Sequence, residues 1–298
     1  MQLPLEKSLT IRPLYKSERI GISDYICRAP QSGPADEEHP DEDSIVLLRC
    51  GVFRKHIARA AVTADTNQAV FFTRGSSYRV SHPADGGNRG TIFSPTPDLL
   101  TDLLGEHDPA YECSSDQPFP FMIGPCPRAV FLRHRELLKR LEQAEPTEPD
   151  PMLVEELSLH LMAEVLGSAF SLHAEPSKRR RLRTPADHTD RVEAAKALLA
   201  SQMSEPISLT EVADHVGFSV FHLSRVFRER TGSTVYRYLT QLRMRAALER
   251  LAEGERDLTG LALDLGYASH SHFTDTFRRE FGQAPSVVRD SLCSVRPV

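Results

Sequence analysis

The sequence predicts an α+β chain in two parts. A β-rich first part is followed by a helical pair, and an all-α second part sets two helix-turn-helix units on either side of one long helix. Three observations carry this expectation. Short β-branched and aromatic runs, separated by turn formers, fill roughly the first 120 residues. Two strongly apolar helical stretches come next. The last hundred or so residues hold an internal repeat with a spacing of 49 to 50 positions.

A length of 298 residues allows two domains, each with its own core. The formal charge of −5 conceals a split: residues 176–298 carry 19 lysine and arginine against 15 acids, and the rest carries 17 against 26. Only the second part is therefore suited to a polyanion. No apolar run is long enough to span a bilayer, and the first residues lack the apolar stretch of a secretion signal, so a cytoplasmic protein without membrane contact is expected. Five scattered cysteines without a CxxC pair suit a reducing compartment.

In the first part, Ile20–Ile26, Ser44–Phe53, Ala69–Thr73 and Thr91–Phe93 read as strands. Turn formers lie between them at Pro30–Pro34, Gly75–Ser77 and Pro83–Gly90, and the acidic stretch Asp36–Asp43 reads as a solvated loop. Strands at this spacing predict a small barrel or sandwich. Arg128–Gln143 then places Val130, Leu137, Leu138 and Leu141 on one helical side, and the prolines of Glu145–Pro151 break it.

Pro151–Phe170 carries two apolar stripes, one of Val154, Leu157, Leu161 and Val165, the other of Leu159, Met162, Leu166 and Ala169. A helix apolar on two sides needs two partners. One is its own domain; the other is expected to be a second copy, which makes Leu157, Leu159, Leu161, Val165 and Leu166 the candidate contacts of a homodimer. The alternative is that both stripes are covered within one subunit. Glu175–His188, with SKRRRLRTP, has no apolar period and reads as a linker whose basic residues either touch phosphate or are simply solvated. The expected domains are thus 1–174 and 189–298, joined by 175–188.

Beyond the linker, Asp190 with Glu193 and Ser208 with Glu211 fit capping boxes that open helices. Gly217 stands where a helix end needs positive φ, and Ser219 can cap the next helix, which buries Leu223, Val226 and Phe227. The pattern then recurs. Leu209, Val212, Ala213, Val216, Gly217 and Phe218 match Leu258, Leu261, Ala262, Leu265, Gly266 and Tyr267, each 49 positions later. Leu223, Phe227, Arg228 and Gly232 match Phe273, Phe277, Arg278 and Gly282 at 50, so the second turn is one residue longer. Between the copies, Thr234 to about Glu253 forms one helix with Val235, Leu239, Leu242 and Ala246 on a stripe.

These segments, SLTEVADHVGFSVFHLSRVFRERTG, LRMRAA and DLTGLALDLGYASHSHFTDTFRREFGQAPSVVR, resemble the signature of the AraC family of bacterial transcription regulators over about residues 189–290. The resemblance implies a seven-helix, two-lobed domain whose recognition helices enter successive major-groove segments. It implies double-stranded promoter DNA as partner, action on RNA polymerase as an activator, and no cofactor.

On the first recognition helix Phe221, Ser224, Arg225 and Arg228 share one side. Arg225 suits a bidentate guanine contact, Ser224 either kind of base edge, Phe221 a thymine methyl and Arg228 phosphate. On the second, the corresponding side holds Ser271, Thr274, Asp275 and Arg278, with His270 and His272 near its start. Asp275 departs from the arginine usual there, so the second unit is expected to bind more weakly or to read cytosine N4.

In this family the first domain is often a cupin-like β-barrel followed by helices, and Asn67–Pro83 resembles such a barrel's hairpin. His56 and His82 are isolated in the barrel region and no HxH stands there, which argues against a metal dioxygenase. A small-molecule effector site is expected inside the barrel, with Arg49, Arg79 and His82 as candidate polar groups. The other reading is an enzyme, or a thiol or metal sensor, fused to a DNA-binding module. Cys113 with Cys126, or Cys27 with Cys50, would be its sensing pair.

Overall fold

The computed structural model describes residues 9–107, 117–142, 150–174 and 186–293. Cys113 and most of the expected linker lie outside these residues.

The first part holds strands β1 (Leu9–Lys16), β2 (Ile20–Cys27), β3 (Ser44–Gly51), β4 (Phe53–Ile57), β5 (Ala60–Ala64), β6 (Gln68–Phe72), β7 (Arg79–Ser81) and β8 (Asn88–Pro95). Helix α1 (Pro97–Gly105), strand β9 (Ile123–Pro125) and helices α2 (Arg128–Glu142) and α3 (Pro151–Ala174) follow. The strands form two antiparallel sheets rather than one closed hydrogen-bonded ring, a six-stranded β1-β2-β8-β3-β6-β9 and a three-stranded β5-β4-β7.

β3 explains the layering. Its run SIVLLR is buried on both faces, because Ile45 and Leu47 enter the core shared with the helices while Val46 and Leu48 face the small sheet. The stretch expected as one strand, Ser44–Phe53, is cut at Gly51, whose φ of +81° turns the chain into β4. A Cβ there would strike the Gly87 carbonyl oxygen, so only glycine fits. Asn67–Pro83 is not a hairpin: β6 pairs with β3 and β9 in the large sheet, whereas β7 pairs with β4 in the small one.

Helix α3 packs on β9, α2 and α1. Leu161, Val165 and Leu166 are at most 2 % exposed, and Leu157 and Leu159 pack against the same core. Both stripes therefore meet this core within one subunit. For Leu161, Val165 and Leu166 the expected dimer contact is corrected accordingly, since a residue already filling a core has no apolar area left for a second copy, while Leu157 and Leu159 remain half-buried. No helix of the described residues is long and apolar enough to cross a membrane.

The second part consists, among the described residues, of α4 (Ala186–Ser201), α5 (Leu209–His215), α6 (Val220–Thr231), α7 (Val235–Ala252), α8 (Leu258–Asp264), α9 (His270–Phe281) and α10 (Pro285–Cys293). α4 starts four residues before Asp190, so the capping box expected there does not form. The Glu193 carboxylate instead accepts from the Thr63 amide of the small sheet and from Lys196 Nζ at 2.9 Å.

Candidate DNA-binding surface and its supports

In the first unit Ser208 Oγ accepts from Glu211 N at 3.2 Å, and Glu211 Oε2 accepts from Ser208 N at 2.7 Å, which closes the expected capping box. These bonds hold the Glu211 carboxyl below the usual carboxylate range. Ser219 caps α6 by accepting from His222 N, and Leu223, Val226 and Phe227 anchor the helix. The second unit repeats this with a different first cap. Asp257 opens α8 by accepting from Thr259 and Gly260, and Ser269 caps α9 above buried Phe273 and Phe277.

The packing leaves the opposite faces free. On α6, Phe221 is 79 % exposed, Arg225 and Arg228 are exposed, and Ser224 is half-buried. The Ser224 hydroxyl donates to Val220 O at 2.9 Å, which leaves its lone pairs for an outside donor. Arg225 Nη1 lies 3.7 Å from Glu229 Oε1, a weak exposed pair that a phosphate or base edge can displace. On α9, His270, Ser271, His272, Asp275 and Arg278 are exposed, and half-buried Thr274 has its hydroxyl 3.4 Å from His270 Nε2. The ten expected side chains thus line two solvent-facing helix surfaces.

Sequence reasoning missed how each turn is held. Arg191 of α4 donates to Val216 O at 3.1 Å and Gly217 O at 2.8 Å, with its guanidinium 5.1 Å from the centre of the Phe218 ring. In the second unit Arg243 of α7 donates to Met203 O at 2.6 Å, Glu205 O at 3.0 Å and Gly266 O at 3.4 Å, and lies 5.8 Å from the Tyr267 ring. Each turn is strapped by an arginine from the preceding long helix, stacked on the aromatic residue after the glycine. The signal was present as an arginine in each preceding helix, but its spacing of 52 falls outside the 49-to-50 repeat.

The two units share α7. Its first half, Val235, Tyr238, Leu239 and Leu242, completes the first unit's core. Its second half, Met244, Ala247, Leu248 and Leu251, joins Leu261, Phe273 and Phe277 of the second unit together with Val130 and Phe131 of α2.

The β-rich part grips this same helix through buried polar groups. Glu249 Oε1 accepts from Arg49 Nη1 at 3.0 Å, while Arg49 also binds Asp24 on β2. Arg135 Nε lies 2.9 Å from Glu249 Oε2 without hydrogen-bond alignment, so that contact is chiefly electrostatic. Arg245 donates to Thr66 O and Cys126 O, and Tyr238 OH donates to Asp65 Oδ2 at 2.6 Å. Burial raises the Asp65 carboxyl and the Tyr238 phenol alike.

These contacts correct the expected effector residues. Arg49 is committed to Asp24 and Glu249, and Arg79 pairs at the surface with Glu37 at 3.4 Å. His82 does line a cavity of about 460 Å³ between the two sheets, walled by Tyr25, Val46, Phe53, Phe72 and Ile92.

Residues 212–291 match a family model described as a helix-turn-helix domain. The HTH-type transcriptional activator RhaS of Escherichia fergusonii is 28 % identical over 264 residues, covering 88 % of this chain and 90 % of the relative. Its counterpart in Escherichia coli O157:H7 is 25 % identical over 265 residues with the same coverage. Among solved structures, a transcriptional regulator with an AraC-type DNA-binding domain from Chromobacterium violaceum is 26 % identical. It covers 38 % of this chain and 100 % of its own, at a TM-score of 0.35.

Two capped helix-turn-helix units built on one common helix define a DNA-binding transcription regulator. Within that class, residues 212–291 carry the match to the helix-turn-helix family model, and the relatives named as activators are similar over most of the chain.

Proposed function

We propose that the chain activates transcription by binding two successive major-groove segments of promoter DNA, with α6 and α9 as the recognition helices. The sharing of α7 carries this reading: one helix contributes to both cores and so fixes the distance between the two exposed helix faces. In it Arg225 reads guanine, Ser224 and Phe221 make supporting base contacts, and Arg228 and Arg278 meet phosphate. Ser271, Thr274, His270 and His272 form the second contact set, which Asp275 weakens or redirects. The cavity between the sheets is the effector site, and the relatives named as activators support action on RNA polymerase. A homodimer on paired sites belongs to the same reading, but its contact lies outside Leu161, Val165 and Leu166.

Footprinting of the full chain on the promoter of its target gene tests this. Protection should cover roughly two turns of one duplex face, and affinity should fall steeply with salt as counterions are released. Protection of a single half-turn, or binding indifferent to salt, would remove the second unit from the reading.

A further inference from the structure

The cavity between the sheets contains a nucleophile and a base. Cys27 and His82 both line it, with Cys27 Sγ 3.5 Å from His82 Nε2. On the other side of the ring, His82 Nδ1 lies 3.4 Å from Ser32 Oγ, and two backbone bonds between Ser32 and His82, at 3.0 and 3.1 Å, fix the histidine's position. A thiol in reach of an imidazole that is itself oriented by a third group is the arrangement of an activated nucleophile.

Several features suit this group to a ligand rather than to packing alone. Tyr25 stands two positions before Cys27 on β2 and lines the same cavity, and its hydroxyl is buried without a partner. Burial raises this phenol, so it stays protonated and available as a donor. Burial also holds His82 below the usual histidine range, leaving the ring neutral and able to accept the thiol proton. The charged groups at the rim, Glu38, Asp41 and Glu42, are acids, and no lysine or arginine stands among the described lining residues. An anionic ligand is therefore disfavoured. The volume of about 460 Å³ suits a small molecule with apolar bulk against Val46, Phe53, Phe72 and Ile92.

We propose that Cys27 is a covalent acceptor for neutral α,β-unsaturated carbonyl compounds, with His82 as its general base. The inference rests on the reading of this cavity as the effector site. In the reaction a bond forms between Cys27 Sγ and the β-carbon as the carbon–carbon π bond breaks. The π electrons move onto the carbonyl oxygen as the enolate forms. The thiol proton passes to His82 Nε2 and from there to the α-carbon. Nothing is expelled and no oxidant is needed. The adduct is a thioether, so the occupant stays bound until it is slowly eliminated.

The test uses the full chain and 2-cyclohexen-1-one, with peptide mass mapping of each cysteine over time. Exposed Cys293 is the internal reference for an unassisted thiol. Cys27 should gain one enone faster than Cys293 despite its burial. His82→Ala should slow that addition roughly 100-fold, at the low end of what general-base catalysis supplies, and added imidazole should restore much of it. Circular dichroism verifies that the variant is folded, and His82→Asn serves if the alanine variant is not. Labelling of Cys27 no faster than Cys293, or a rate indifferent to both His82 substitution and imidazole, overturns the proposal. Promoter affinity of the labelled protein reads the underlying assumption separately. If Cys27 is modified as described and DNA binding is unchanged, the covalent site stands and the effector reading falls.

Discussion

Replacing Glu249 by glutamine removes one buried charge and leaves its volume in place. Glu249 is 2 % exposed and faces Arg49 at 3.0 Å, Arg135 at 2.9 Å and Arg89 at 4.0 Å. Arg49 keeps Asp24, but Arg135 loses the one carboxylate within 4 Å among the described residues. Burial already lowers the Arg135 guanidinium from its ordinary value, and Glu249 is the chief group opposing that. Breaking a buried pair from one side strands the partner's charge and costs about 3–5 kcal/mol, against less than about 1 kcal/mol for an exposed pair. With a urea slope of about 3 kcal/mol/M the midpoint should fall by roughly 1–1.7 M. The chain has no tryptophan, so far-UV circular dichroism is the readout. Glu249→Gln combined with Arg135→Gln should lose less than the two single changes added together, because neither charge is then stranded. A single-variant loss below about 1 kcal/mol, or strict additivity in the double variant, would refute the view that Glu249 holds α7 to the sheet by charge.

Other outcomes follow from the same geometry. Arg225→Ala should weaken binding to the preferred site by about 1–3 kcal/mol in a gel-shift titration, and equal weakening on random DNA would make it a phosphate contact. Asp275→Arg should tighten binding; loss of site preference without tighter binding would mean that the carboxylate reads a base. Lys55, 3 % exposed, donates to Phe71 O at 2.6 Å, and burial pushes its ammonium down to about 7. Between pH 7 and roughly 10 the unfolded chain holds a proton that the folded chain lacks, so stability from this group rises with pH there, and below pH 7 the penalty is complete. Lys55→Met should therefore stabilise most at pH 7 and below, the gain shrinking by roughly 2 kcal/mol by pH 9 in urea titrations; a pH-independent gain would contradict the assignment. Leu161→Glu together with Val165→Glu should abolish folding; a soluble folded monomer on sedimentation would restore the dimer face that their burial removes.

The second part was legible because its signals are local. Ser208 and Glu211 satisfy each other three residues apart, Gly217 and Gly266 take positive φ where a turn requires it, and Leu223 and Phe273 mark buried faces at helical spacing. What escaped depends on residues distant in the chain. Arg245 and Glu249, one turn apart, lie outside the apolar stripe of Val235, Leu239, Leu242 and Ala246, yet each is 2 % exposed because a sheet some 200 positions earlier covers them. The two stripes of α3 were visible, but which surfaces cover them was not, since β9 is only three residues long and α1 lies dozens of positions earlier in the chain. Arg49 had the right chemistry for a ligand and a partner that only the fold supplies. Cys27 and His82, 55 positions apart, meet because β2 and the segment after β7 converge on one cavity.

The unequal burial of the two units bears on how such chains can be recombined. Val212, Leu223 and Phe227 close a core with α4 and the start of α7 that takes nothing apolar from the β-rich part. Phe273, Phe277, Val288 and Leu292 share theirs with Val130 and Phe131 of α2. A chimera cut between the β-rich part and α4 would therefore leave the first unit whole and divide the second unit's interior between two parents. Exchange of the DNA-reading end would have to carry α2 along with it, or replace the side chains of both halves of that interior at once.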